Sequence, residues 1–198
     1  PMLTTALVAF VTIGLINLCY YLGFFRFAFA ASKNSNSQNP LPVAVVICAK
    51  NEAENLRKFL PIVLAQNHPN FEVVVINDAS TDDTLEVIEE FQDLYPNLKK
   101  VNVQNNETFW ANKKYALTLS IKKATKPYLL FTDADCRPES DQWLREMVSP
   151  LGEQKSIVLG YGGYLVEKRS VLNKLIRFET LFTAIQYFSY AKWGLPYM

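Results

Sequence analysis

Between Met2 and Phe25 the chain carries no charged residue, and roughly 20 apolar residues wound as a helix cover the ~30 Å hydrocarbon core of a bilayer. The pattern predicts a transmembrane helix over residues 1–31, with a buried core helix as the alternative. A secretory leader needs a basic start and a small-residue cleavage site. Here the basic residues, Arg26 and Lys33, follow the apolar run, which places everything downstream in the cytoplasm. Residues 32–42, rich in Ser and Asn and closed by Pro40 and Pro42, read as a flexible linker.

From Val43 the period changes. Val43–Cys48 is a continuous β-branched run, too short for a helix and apolar on both faces, as a central parallel strand is. Glu54–Gln66 then has helical spacing at Leu56, Phe59, Leu60, Val63 and Leu64, with Pro61 as a kink or an early end. The unit repeats: Phe71–Ile76 is a strand, Asn77–Thr84 a turn, and Leu85, Ile88, Phe91 and Leu94 the stripe of a second helix. Lys99–Gln104 is a more polar strand and Thr108–Lys123 a helix. Tyr128–Thr132 reads as an interior strand and Ser140–Val148 as a short helix. This alternation predicts an α/β fold with a mostly parallel central sheet and helices on both faces.

The chemistry concentrates where strands end. Tyr128–Arg137 reads Tyr-Leu-Leu-Phe-Thr-Asp-Ala-Asp-Cys-Arg, an apolar run that stops in two carboxylates one residue apart, Asp133 and Asp135. Ligands of open α/β sheets bind beyond the carboxyl ends of the strands. A chain leaving its strand there can aim both acids at one hard cation, and through it at a diphosphate; the alternative is a turn or a helix cap. Ser80 and Asp83 fit a capping box, so Ser80, Asp82 and Asp83 are expected to cap the second helix. Asp78 precedes that cap and faces the same crevice as Asp133. Acids in the first helical turn repel phosphate, so Asp78 is expected to accept hydrogen bonds from the uncharged end of a nucleotide. Lys113, early in the next helix, opposes the helix dipole, which an anionic partner would explain.

Composition removes several classes. A net charge of +1 leaves no electrostatic footprint for nucleic acid. One histidine and three scattered cysteines, Cys19, Cys48 and Cys136, suggest neither a zinc site nor a disulfide framework and fit a reducing compartment. Neither G-x-G-x-x-G nor G-x-x-x-x-G-K-[ST] occurs, which argues against dinucleotide and P-loop binding.

Two stretches remain. Ile157–Val166 is extended chain interrupted by Gly160, Gly162 and Gly163, read as a close approach to a ligand or as a bulge. Val171–Trp193 has helical spacing, and Lys174, Arg177 and Lys192 among aromatics suit a helix on the membrane surface; the alternative is packing against the sheet.

Taken in order, Ala49-Lys50-Asn51-Glu52, Asn77 to Thr84, Lys113-Lys114-Tyr115-Ala116-Leu117 and Thr132-Asp133-Ala134-Asp135 resemble the successive motifs of glycosyltransferase family 2, inverting enzymes of the GT-A fold. The resemblance covers Val43 to about Tyr164, and membrane-anchored members also begin with a transmembrane helix and a short tether. It implies that Ala49, Asn51, Glu52 and Asp78 line the nucleoside pocket and that Lys113 lies near the sugar nucleotide. It implies further that Asp133 and Asp135 act at the metal diphosphate, with Mg²⁺ or Mn²⁺ held chiefly by Asp135. Asn77 stands where many members have a second Asp, and Asn112 where a glycine is usual.

The family's base, an Asp after an acidic residue, and its Gln/Arg-x-x-Arg-Trp motif do not occur before Met198, and Glu167 and Glu179 lack the family's context. The expectation is an N-terminal fragment of a longer enzyme, its GT-A domain occupying 43–198 and incomplete at its C-terminus. Its donor would be a nucleotide-diphosphate sugar and its acceptor an unidentified glycan, lipid or protein. Two alternatives are a nucleotidyltransferase, whose usual glycine-rich signature is missing, and a membrane-tethered interaction module without catalysis.

Overall fold

The computed structural model describes residues 2–28, 41–103, 113–152 and 155–195; the expected linker over 32–42 lies largely outside them. In chain order the elements are α1 (Met2–Ala28), β1 (Val43–Ala49), α2 (Ala53–Leu64), β2 (Phe71–Asp78), α3 (Thr84–Leu94), β3 (Leu98–Val103), α4 (Lys113–Lys123), β4 (Tyr128–Asp133), α5 (Trp143–Val148) and α6 (Val171–Lys192). They fall into two compact units, residues 35–158, and residues 1–34 with 159–198.

The 35–158 unit is an α/β layer structure. Its four strands lie in the order β3-β2-β1-β4, and every pairing is parallel. Because side chains alternate across a strand, the two faces separate cleanly. Val43, Val45, Ile47, Ala49, Val73 and Val75 pack with Leu56 and Leu60 of α2, Val87 and Ile88 of α3, and Leu144 of α5. Val46, Val74 and Ile76 face the other way, toward Ala116 and Leu117 of α4. β1 and β2 are therefore buried on both faces, as their unbroken apolar runs predict.

Two details depart from the sequence expectation. β4 pairs with β1 alone, so it is an edge strand among the described residues rather than an interior one, and Phe131 is 51% exposed. Composition does not distinguish the two cases, because the face of β4 that carries Leu130 is still buried. The stripe of α3 is Thr84, Val87 and Ile88 with Phe91 beside them, whereas Leu94 is 72% exposed; the inward face is centred on Thr84, Ile88 and Phe91, about 80° round the helix from Leu94. α4 is described from Lys113 on, and the predicted start at Thr108 lies outside the described residues. Pro61 sits inside α2, which nonetheless runs on to Leu64.

Two buried polar side chains lock distant segments together. Glu72, near the start of β2, is 4% exposed. It accepts from Lys99 Nζ at 2.7 Å, from the Thr125 N–H at 2.6 Å and from the Thr125 hydroxyl at 2.7 Å. Burial works to raise its pKa, but these donors outweigh it and hold the carboxyl below its ordinary value. Gln66, beyond α2, donates to Ser140 O at 2.9 Å and accepts from the Leu144 N–H at 2.9 Å, while the Asn67 N–H donates to Asp141 O at 2.8 Å. The segment after β4 is thereby clamped to the end of α2.

In the other unit, residues Met2–Phe24 of α1 contain an 18-residue window with a mean hydropathy of 2.1, none of it buried. At 1.5 Å per residue they reach about 35 Å, long enough to cross a bilayer.

A depressed carboxylate pKa contributes stability that is present above the ordinary glutamate value, about 4.3, and lost as pH falls through the lowered folded value. Glu72→Gln should therefore cost about 2 kcal/mol in urea unfolding at pH 7, and the difference from wild type should narrow as the pH is lowered through that window.

Candidate active site

The strand order creates a rim with chemistry. The chain steps from β1 to β2 to β3 in one direction and then returns to place β4 on the far side of β1. Here α2, α3 and α5 cover one face and α4 the other, and ligands of open α/β sheets bind at such a reversal, beyond the carboxyl ends of the strands. At this rim stand the loops after β1, β2 and β4. The crossover from β3 to β4 also puts the start of α4, at Lys113, on the same side. Nothing beyond that backbone position is described for Lys113.

Register places the acids. Asp133 lies opposite Cys48, and Cys48 opposite Ile76, so Asp78, two residues further along β2, shares a sheet face with Asp133. Two strand spacings and two residues separate their Cα atoms by about 12 Å. Asp78 is 6% exposed, and its Oδ1 has no hydrogen-bond partner among the described residues. A buried acceptor left so costs about 1–3 kcal/mol. Asp133, Asp135 and Cys136 are exposed, with one candidate ligand atom from each lying within 4.8 Å of the others. The Cys136 N–H donates to Asp133 O at 3.2 Å, closing the turn that brings them together.

The donor set discriminates between ions. Two carboxylates suit Mg²⁺ or Mn²⁺, which take oxygen ligands and keep open positions for water and phosphate. The thiol is a soft ligand and does not fit a hard cation. Desolvation of its sulfur, followed by the charges of Asp135 and Asp133, raises the Cys136 pKa against the hydrogen bonds the sulfur accepts from the Asp133 backbone and the Thr132 side chain. Asp133 and Asp135 alone fit the expected cation.

The loops after β1 and β2 hold each other. The Asn51 N–H donates to Ser80 Oγ at 3.0 Å, and Asn51 Oδ1 accepts from the Thr81 N–H at 2.8 Å. The Glu52 N–H donates to Thr84 Oγ1 at 2.9 Å and the Ala53 N–H to Asp82 Oδ2 at 3.2 Å. Asp82 also accepts from the Thr84 N–H at 3.1 Å and from the Thr84 hydroxyl. Desolvation opposes these bonds, yet they keep the Asp82 carboxyl below its ordinary pKa.

The expected capping box is therefore not made. Asp83 is the N-cap of α3 without a side-chain cap bond; Asp82 accepts both from Thr84 at the start of α3 and from Ala53 at the start of α2, while Ser80 reaches back to Asn51. The bonds to Asn51 and Ala53 could not be read locally, because these partners lie 29 residues away.

Not every expected pocket residue presents its side chain to the crevice. The Ala49 methyl is buried in the core beneath α2 and α3, which leaves its backbone at the rim. Asn51 uses its side chain on Thr81, and Glu52 Oε2 accepts from Asn55 Nδ2 at 2.6 Å. Asn77 Nδ2 donates to Asn102 Oδ1 at 2.9 Å and Asn77 Oδ1 accepts from the Ser80 N–H at 3.2 Å, so it shapes the turn that follows Asp78. Asn51 and Ala79 have φ of 57° and 50°, a left-handed conformation that costs an alanine roughly 1–2 kcal/mol and that is held here by the cross-loop bonds.

A sequence profile described as Glycosyl transferase family 2 matches residues 44–192. The chain belongs to this family. Over 111 residues, 55% of this chain and 35% of that protein, it is 34% identical to glycosyltransferase AglE of Haloferax volcanii. It is 32% identical to a poly-beta-1,6-N-acetyl-D-glucosamine synthase of Staphylococcus epidermidis over 107 residues, 54% of this chain and 25% of that one. Among solved structures it resembles a mannosyltransferase of Pyrobaculum calidifontis in complex with GDP-Man and Mn²⁺. That likeness has a TM-score of 0.58 and 27% identity and covers 67% of this chain and 39% of that one. The fold is thus the GT-A type of family 2 glycosyltransferases. The chain spans from a quarter to about half the length of the curated relatives it matches.

Asn51→Ala removes the Thr81 acceptor and leaves a methyl-bearing residue at positive φ, so it should cost about 2 kcal/mol. Asn51→Gly keeps the backbone conformation and should cost roughly half as much. Urea unfolding of both variants in detergent micelles checks the order.

Proposed function

We propose that this chain binds a nucleotide-diphosphate sugar at the rim of β1, β2 and β4 and serves its transfer, with inversion, to an acceptor hydroxyl. Carrying the reading is the buried Asp78 carboxylate, whose Oδ1 has no partner among the described residues, on the same sheet face and rim as the paired Asp133 and Asp135. A nucleotide is polar and uncharged at its base and ribose and anionic at its diphosphate, which matches one recessed acceptor at one end and an exposed acid pair at the other. The relative solved with GDP-Man and Mn²⁺ supports both the donor class and the ion.

In this reading Asp78 accepts hydrogen bonds from the base or ribose. Ala49 contributes its backbone to the nucleoside pocket, and Asn51 and Glu52 fix the pocket's edge through the loop they brace. Lys113 lies near the sugar nucleotide. Asp133 and Asp135 would hold Mg²⁺ or Mn²⁺, which supplies neutralisation of the charge that develops on the leaving diphosphate. The acceptor oxygen bonds to the anomeric carbon from the face opposite the diphosphate as the sugar–phosphate C–O bond breaks. The hydroxyl proton must then pass to a base, a role we assign to no residue between Pro1 and Met198.

The α1 helix anchors the chain as a single membrane span, and the basic Arg26 and Lys33 after it put the sheet on the cytoplasmic side. A site beside the cytoplasmic leaflet suits lipid-linked acceptors or glycans destined for export.

Calorimetric titration of a nucleoside diphosphate into wild type, Asp135→Ala and Asp78→Asn, each with and without Mn²⁺, tests the site. Mn²⁺ should tighten wild-type binding at least about tenfold, the worth of one good charge-assisted contact of about 1.4 kcal/mol. Asp135→Ala should lose that gain, and Asp78→Asn should weaken binding with or without the ion. Equal affinity in all six titrations would count against the site.

A further inference from the structure

We propose that Gln66 is a positioning residue for the acid pair: its buried amide anchors the far end of the segment that follows β4 and so sets where Asp135 stands at the rim. The inference rests on the reading of Asp133 and Asp135 as holders of Mg²⁺ or Mn²⁺. The parallel ladder between β1 and β4 ends at the pair of Cys48 and Asp133. Asp133 is therefore placed by the sheet, whereas Asp135 lies two residues past the last pairing. Two local contacts hold the backbone there. The Cys136 N–H donates to Asp133 O at 3.2 Å, and the Ala134 methyl, 5% exposed, is sunk in the core between the two acids.

The next anchor along the chain is Gln66, just past the end of α2 and 5% exposed. Its Nε2 donates to Ile62 O at 3.2 Å and to Ser140 O at 2.9 Å, and its Oε1 accepts from the Leu144 N–H at 2.9 Å. The Asn67 N–H adds a bond to Asp141 O at 2.8 Å. The Leu144 N–H belongs to the first turn of α5, whose own N-cap, Gln142, makes no side-chain cap bond. Gln66 thus satisfies an N–H that the short helix leaves without an internal partner. A buried amide costs free energy unless its groups are bonded, and an apolar side chain of similar size would fill the space without that demand. An apolar side chain does not, however, tie down two backbone atoms four residues apart. That double bond fixes the position and direction of residues 140–144 against α2.

The anchor acts at the rim because the chain between has little slack. Ala53 is tied to the rim through its N–H bond to Asp82, and Ile62 stands about 14 Å further along α2. From Asp135 to Ser140 the chain reaches about 17 Å at most. Running down to the level of Ile62 uses most of that reach. Residues 136–138 accordingly form neither helix nor turn, and Pro138 among them is buried. A metal site needs its ligands held to within about 0.5 Å, so freeing Ser140 lets Asp135 drift out of range while Asp78, on β2, stays where it is.

The test uses the full chain in detergent micelles. GDP and UDP are titrated calorimetrically in parallel, each with and without excess Mn²⁺, and the one that wild type binds more tightly is carried through the variants. Gln66→Met keeps the length and bulk of the side chain and removes its bonds to Ser140 and Leu144. It should cut the Mn²⁺ gain in affinity from at least about tenfold to about threefold or less, with the metal-free dissociation constant within about twofold of wild type. Glu72→Gln, which loses stability through its Lys99 and Thr125 contacts, is the control and should keep the full gain. Where Gln66→Met shows no cooperative urea transition, Gln66→Asn carries the same expectation, since its amide is one carbon too short to meet both partners. With the gain present in wild type, three results would overturn the proposal: a Gln66 variant that keeps it, a Gln66 variant that binds equally more weakly with and without the ion, or a Glu72→Gln that loses it too. Wild type that binds neither nucleotide, or binds without a gain from Mn²⁺, would instead overturn the reading of the acid pair and this inference with it.

Discussion

β1 is hydrogen-bonded along both edges, to β2 and to β4, and covered on both faces, by α2, α3 and α5 on one and by α4 on the other. Every feature of the candidate site is measured from it. Because the pairings are parallel, the strands end at a common rim. Because β2 and β4 flank β1 on opposite sides, an acid carried at the end of each faces the crevice from a different side. A slip of one residue in either pairing would turn that acid to the opposite face of the sheet. The near-complete burial of Val43 to Ile47, Val73 to Ile76 and Leu130 is what makes such a slip costly.

The rim is rigid for a reason that complements the sheet. Helices begin after each of β1 and β2, and their first turns leave backbone N–H groups without intrahelical partners. Ser80, Asp82 and Thr84 supply acceptors for three consecutive N–H groups, those of Asn51, Glu52 and Ala53. One loop thus caps the helix that follows the other. This cross-capping holds Asn51 and Ala79 at positive φ and fixes the backbone on either side of Asp78, which stays buried with one oxygen unpartnered. A recessed acceptor held against relaxation is suited to a ligand donor and costs stability in its absence.

The acid pair after β4 is organised differently. It sits on an edge strand, exposed, and its turn is steadied from behind by Gln66 and Asn67, which hold residues Ser140 to Leu144. Exposure suits a group that takes up and releases a hydrated cation together with a diphosphate, since neither carboxylate must be stripped of water while the site is empty. The proposed site therefore pairs a recessed acceptor with an exposed acid pair, the division a nucleotide ligand would call for.

The strand and helix order, the parallel sheet, the apolar N-terminal helix and the acids at Asp78, Asp133 and Asp135 were legible in the sequence, because each depends on local periodicity or on residues a few positions apart. The resemblance of four co-linear motifs to family 2 was legible on the same footing. What tertiary structure decided is whatever depends on partners far along the chain. Ser80 looks like a cap of its own helix but serves another, and Asp82 serves both. Ala49 sits within a motif yet turns its methyl into the core. Tyr128–Asp133 has the composition of an interior strand and stands at an edge among the described residues, since an apolar run records how its faces are covered and not how many neighbours pair with its backbone.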